Sequence, residues 1–124
     1  MTSGSAYEVI FYRKANEDSP TDEFLDGLPA KVRAKLEKWT EQLEIHGPNL
    51  PRPYADVVGD KIRELRLKFG GTNYRFLYFF AGKMIVITHG FVKKTDKIPE
   101  NEIQRAGRLM IDFQERLKRG EFES

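Results

Sequence analysis

Arg66, Arg75 and His89 are the residues whose types and spacing lend themselves to chemistry, each in a different one of three consecutive β-type segments. Arginine presents a planar fork of donors that fits phosphate oxygens. Histidine, with an unperturbed pKa of about 6.5, gives or takes a proton near neutral pH. Such a set suits a phosphodiester: the arginines hold the phosphate and offset its developing charge, and the histidine moves a proton.

The segments cover residues 62–69, 73–80 and 84–92, separated by Gly70-Gly71 and by Ala81-Gly82-Lys83. Reading these as a two-residue and a three-residue hairpin loop fixes the register. Phe69 then faces Thr72 and Phe80 faces Met84. Arg66 lies opposite Arg75, Arg75 lies opposite His89, and Lys68 and Asn73 form the adjacent row. Like charges directly opposite destabilise a sheet, so the row points to an anionic ligand, with phosphate the natural candidate. The same pattern also fits a plain strand face on which Glu64 and nearby acids neutralise the arginines and His89 is half-buried.

The opposite face carries Leu65, Leu67, Tyr74, Phe76, Tyr78, Phe80, Met84 and Val86, an apolar surface that needs a cover. Leu77, Phe79, Ile85 and Ile87, at the far end of the first face, call for the first strand or the last helix above them.

The covering elements are legible upstream and downstream. Residues 7–12 form a β-rich run, and Ser19 before Pro20 opens a short helix that ends near Gly27. Val32, Leu36, Trp39 and Leu43 then recur at helical spacing until His46-Gly47-Pro48, so a helical hairpin precedes the sheet. Residues 49–60, with Pro51, Pro53 and Gly59, read as a loop. Pro99 starts a last helix whose stripe is Ile103, Ala106, Met110, Phe113 and Leu117. The fold class is therefore α+β: an antiparallel β-meander with an N-terminal helical hairpin on one face and a C-terminal helix. Lys93, Lys94 and Lys97 follow the last strand as phosphate contacts or as a solvated run, and Phe91 either stacks on a base or packs in the core.

The 124 residues fit one domain at 7–119, with a frayed start at 1–6 and a flexible tail at 120–124. There is no cysteine, which removes disulfides and thiolate chemistry. Only His46 and His89 offer imidazole, so no metal signature is present, and His46 suits a helix end. No phosphate-binding loop, dinucleotide-binding glycine pattern or serine elbow occurs, and no cofactor is expected. No apolar run is long enough to span a membrane and the start resembles no signal peptide, so the cytosol is the expected compartment. The net charge is only +2, so the placement of the cations matters more than their sum.

The blocks Glu64-Leu65-Arg66, Tyr74-Arg75-Phe76-Leu77-Tyr78-Phe79-Phe80 and His89-Gly90-Phe91-Val92-Lys93-Lys94-Thr95, followed by Ile98-Pro99 and an amphipathic helix, come in a telling order. Over about Tyr7 to Leu117 the chain resembles the phage-derived, Gp49-like branch of the RelE/HigB toxins. The resemblance implies the toxin of a type II toxin-antitoxin system: a ribosome-dependent endoribonuclease that cuts mRNA by attack of the 2′-hydroxyl on the adjacent phosphate. It also implies a small helix-turn-helix, HigA-like antitoxin as partner. Arg66 and Arg75 are then carried over as phosphate or transition-state stabilisers and His89 as general acid or base. Lys68, Asn73, Phe91, Lys93, Lys94 and Lys97 would contact RNA. The C-terminal Tyr or His of some relatives is absent here. The wider superfamily also contains ParE-like proteins that inhibit gyrase without nuclease chemistry, and an inactive antitoxin-binding relative is a third possibility.

Overall fold

The computed structural model describes residues 6–122, so the expectations for the extreme termini, 1–5 and 123–124, fall outside it. Five strands and three α-helices occur in the order β1 (Glu8–Phe11), α1 (Pro20–Asp26), α2 (Ala30–His46), β2 (Ala55–Gly59), β3 (Ile62–Phe69), β4 (Thr72–Ala81), β5 (Met84–Val92) and α3 (Glu100–Lys118). They form one sheet in the order β1-β5-β4-β3-β2, antiparallel except where β1 lies parallel on β5. The α+β meander with helices at both ends of the chain is thus the observed architecture.

Local sequence explains the helix starts. The Ser19 hydroxyl accepts a bond from the Asp22 amide at 3.1 Å, and Pro20 occupies the first turn of α1. Pro99 precedes α3, whose first turn carries Glu100 and Glu102 and whose last turn carries Arg116 and Lys118, matching the helix dipole at both ends.

The sheet separates two cores. Leu65, Leu67, Tyr74, Phe76, Tyr78, Ile85 and Ile87 pack beneath α1 and α2 against Leu25, Val32, Leu36 and Leu43. On the other side Ile62, Leu77, Phe79, Val86 and Phe91 meet Ala106 and Phe113 of α3. Phe79 and Phe113 form an edge-to-face pair at 5.7 Å, a geometry worth about 0.5–1.5 kcal/mol beyond its area. Phe122 stacks on Phe113 at 4.5 Å, so the described part of the tail lies on α3.

Three sequence expectations need correction. Residues 49–60 are not all loop, because Ala55–Gly59 forms edge strand β2 on β3, with a register shift between Val57 and Gly59. The short run hides behind its prolines, and only an edge position tolerates them so close by. The turn after β4 holds two residues, not three, with Ala81 paired to Met84 and Gly82 at a φ of 61°. Ile85 and Ile87 consequently belong to the α1/α2 face, whereas Val86 and Met84 lie on the α3 side.

The third correction concerns the cationic row. Arg66 does face Arg75, but Arg75 pairs with Phe91 and His89 pairs with Leu77. The shorter turn moves β5 by one position and a bulge moves it by another: Leu77 pairs with His89 and Tyr78 with Ile87, which leaves Thr88 without a partner. The Thr88 hydroxyl donates to the Leu77 carbonyl at 3.1 Å, so the interrupted ladder keeps that acceptor satisfied.

Gly90 is where α1 lies down on β5. A Cβ there would come within 2.5 Å of the Phe76 ring and 2.7 Å of the Phe24 ring. Gly90→Ala is therefore expected to destabilise the fold by about 1–3 kcal/mol through overpacking. Denaturant unfolding checks this, and a variant as stable as the parent would mean that α1 can lift at no cost.

Candidate functional site

Of the expected RNA-facing residues, Lys68 and Asn73 meet Arg66 and Arg75 where the sheet edge is left open. Strand β2 pairs with β3 only as far as Ala55 opposite Leu65. Pro51 and Pro53 stop the pairing from continuing, and the last link is the Arg66 amide donating to the Tyr54 carbonyl at 2.8 Å. Beyond it a cleft of about 410 Å³ opens between α2 and β3, lined by Lys35, Trp39, Tyr54, Arg66, Lys68, Asn73 and Arg75 among others. Lys35 donates to the Lys68 carbonyl at 2.6 Å, which pins α2 to the free part of the strand.

One carboxylate organises the two arginines. Glu64 lies two residues before Arg66 and so on the same face of β3. Its Oε2 is 2.9 Å from Arg66 Nε and 2.8 Å from Arg66 Nη2. Its Oε1 is 2.9 Å from Arg75 Nε. That last contact is poorly aligned for a hydrogen bond, so charge attraction holds it. Arg75 Nη1 donates to the Tyr74 carbonyl. Burial pushes the Arg75 guanidinium below its ordinary value, with Glu64 opposing that shift and Arg66 adding to it; an arginine stays charged regardless. Arg66 also reaches Asp56 at 3.4 Å, and Arg52 reaches the same carboxylate at 3.0 Å. The Val57 amide, ahead of these arginines, holds the Asp56 carboxyl below its usual range.

His89 is placed differently. It is 1 % exposed, diagonal to Arg75, under α3. Its Nε2 lies 2.9 Å from Glu102 Oε1 and its Nδ1 lies 3.1 Å from the Thr88 hydroxyl. Burial lowers its pKa, with Arg105 acting in the same direction and Glu102 opposing both. A neutral ring donates from Nε2 to Glu102, and the single Thr88 hydroxyl proton serves either the Leu77 carbonyl or Nδ1, not both.

The remaining expected residues divide. Lys93 and Lys97 line a second cleft of about 350 Å³ together with Glu64, Arg66 and Glu100, so Arg66 borders both hollows. Lys94 is exposed and borders neither. Phe91 is 8 % exposed, packs in the α3 core and sits 5.8 Å from the His89 ring. Sequence reasoning passed over Lys35, Tyr54 and Glu102, and it assigned Trp39 to the core stripe. Glu64 was legible as a partner from its spacing to Arg66. Among the described residues no group of acids and histidines converges to hold a metal ion, and no helix is long and apolar enough to cross a membrane.

The His89 environment gives a pH prediction. Its folded pKa lies below the unfolded value, so the unfolded chain takes up the proton first. Stability from this group is complete above about pH 6.5 and declines as pH falls from there toward the lower folded value. Denaturant midpoints at pH 7.5 and pH 5 should therefore drop further in the parent than in His89→Gln. An equal drop in both would show that His89 is not a source of acid sensitivity.

No curated protein matches the chain. The family model described as "Phage derived protein Gp49-like (DUF891)" matches residues 23–110, from α1 through β2–β5 and into α3. The matched region holds both arginines, Glu64, His89 and the open edge of β3. The chain belongs to the Gp49-like family, a family of RelE/HigB-type toxins.

Proposed function

We propose that the chain is a HigB-like toxin that cleaves mRNA on the ribosome. The observation that carries the reading is that Arg66 and Arg75 are held side by side by Glu64 at a cleft rimmed by Lys35 and Lys68. Two guanidinium groups with shared but incomplete neutralisation are suited to the extra negative charge of a pentavalent phosphate.

In the proposed reaction the 2′-hydroxyl of one nucleotide attacks the neighbouring phosphate and the bond to the 5′-oxygen breaks. The products are a 2′,3′-cyclic phosphate and a 5′-hydroxyl. One proton leaves the attacking oxygen and one reaches the departing oxygen, so no net proton is consumed. Arg66 and Arg75 stabilise the phosphorane charge, while Lys68, Asn73, Lys93 and Lys97 position the strand, with Lys94 contributing field at the exit of β5. His89 is the chain's candidate for proton transfer, and RNA reaches it only when the Glu102 carboxylate moves off Nε2. Phe91 serves in this reading as its packed neighbour. Family membership also supplies the partner expected to restrain the toxin, a helix-turn-helix antitoxin of HigA type.

Inducible expression of the parent, Arg66→Ala, Arg75→Ala and His89→Ala in bacteria, with mRNA 5′ ends mapped by primer extension, tests the reading. Loss of either arginine is expected to reduce cleavage about 10²–10³-fold, with growth restored. His89→Ala that still cuts would make the histidine a support beneath Phe91. Growth arrest without cuts would overturn the nuclease and favour a gyrase-directed toxin, and no arrest from soluble parent protein would favour an inactive antitoxin-binding relative.

A further inference from the structure

Trp39 and Tyr54 stack with ring centroids 4.5 Å apart and planes 26° from parallel, at the lip of the cleft that holds Arg66 and Lys68. Trp39 leans on the α1/α2 core, whereas Tyr54 belongs to neither core and stays 40 % exposed despite the stack. Core packing therefore accounts for Trp39 and leaves the position of Tyr54 to be explained.

The backbone holds Tyr54 firmly. Its carbonyl accepts from the Arg66 amide at 2.8 Å and its amide donates to the Pro51 carbonyl at 3.0 Å. An exposed ring and a guanidinium are thus tied to the same backbone bond, with Lys35 across the cleft and bonded to the Lys68 carbonyl. The cleft, at about 410 Å³, falls within the range of small-ligand sites. Another hollow on the same stack, bordered by Lys38, Gln42 and His46, leaves room for a chain to run past it.

We propose that the Trp39–Tyr54 stack is the wall of a nucleobase subsite. An unpaired base of single-stranded RNA lies on Tyr54 while its flanking phosphate is held by Arg66 and Lys68. The inference rests on the RNA-cleaving reading and adds where the substrate is gripped beyond the scissile phosphate. The aromatic face supplies stacking, which any base can satisfy only when it is out of a duplex, and the cations beside it match the phosphate. Single-stranded RNA is therefore the ligand class, with little discrimination among bases at this position.

Trp39 is the single tryptophan of the chain, so its fluorescence reports on the stack directly. The full-length protein is titrated at low salt with an adenylate-rich hexaribonucleotide carrying 2′-O-methyl groups, which binds without being cut. Saturable quenching is expected, with the dissociation constant raised about tenfold by Tyr54→Ala and little changed by Tyr54→Phe. Arg66→Ala should flatten the salt dependence, whereas Tyr54→Ala should leave its slope unchanged. Binding without a Trp39 signal, and without a loss on Tyr54→Ala, would overturn the subsite and leave the arginine cleft in place. The subsite also fails if the oligonucleotide does not bind while the parent still cuts ribosomal mRNA, or if Trp39 responds to the co-expressed antitoxin and not to RNA. Neither binding nor cutting would overturn both readings.

Discussion

Arg66 and Arg75 face each other across β3 and β4, where two cations alone would repel, and Glu64 is the group that lets the sheet close at that point. The carboxylate is 4 % exposed, and a buried charge without partners would be costly. Each member of the trio is thus tolerable only with the others present. The arrangement also confines the arginines: Glu64 fixes their Nε sides, and Asp56 or the Tyr74 carbonyl takes one further donor of each. What is left of each guanidinium lies along the cleft, already ordered, so little rotamer entropy remains to be lost when an anion arrives.

The sheet around this trio shows how small local choices decide where a side chain ends up. A two-residue turn after Ala81 shifts β5 by one position relative to a three-residue loop and so puts Ile85 and Ile87 under α1 and α2. The Thr88 bulge shifts it once more, which returns His89 and Phe91 to the face that carries Arg75. The two displacements cancel in face but add in register. His89 therefore stays on the expected side and moves two positions along β4, from opposite Arg75 to opposite Leu77 and under Glu102. A slip of a single residue flips an entire strand face, and here two slips convert a proposed row of three cations into a pair plus a buried histidine.

Much of the fold was legible because its signals are local: Ser19-Pro20, the Val32 to Leu43 stripe, Gly70-Gly71 and Pro99 each specify an element from neighbouring residues. The pairing of Arg66 with Arg75 followed from a glycine turn whose length the sequence fixes. Thr88 carried no such mark, since a threonine is equally at home in a regular strand. Strand β2 was hidden because its few residues lie among prolines and only pairing with β3 makes them extended. Trp39 fell on the core stripe of α2, and its second role depends on Tyr54, a residue close to it only in the folded chain. Long-range juxtapositions of this kind leave no trace in spacing along the chain.

The prolines that hid β2 also give the site its opening. Had β2 continued in register past Ala55, the backbone of β3 beyond Arg66 would be covered and the cleft between α2 and the sheet would close. An uncovered edge invites pairing with other chains, and proteins commonly blunt it with charge. Lys68, on the free stretch of β3, and Lys35, bonded to its carbonyl, do so here. The lysines that protect this edge from another strand also make it attractive to a polyanion, so resistance to aggregation and attraction for an anionic ligand arise from the same charges.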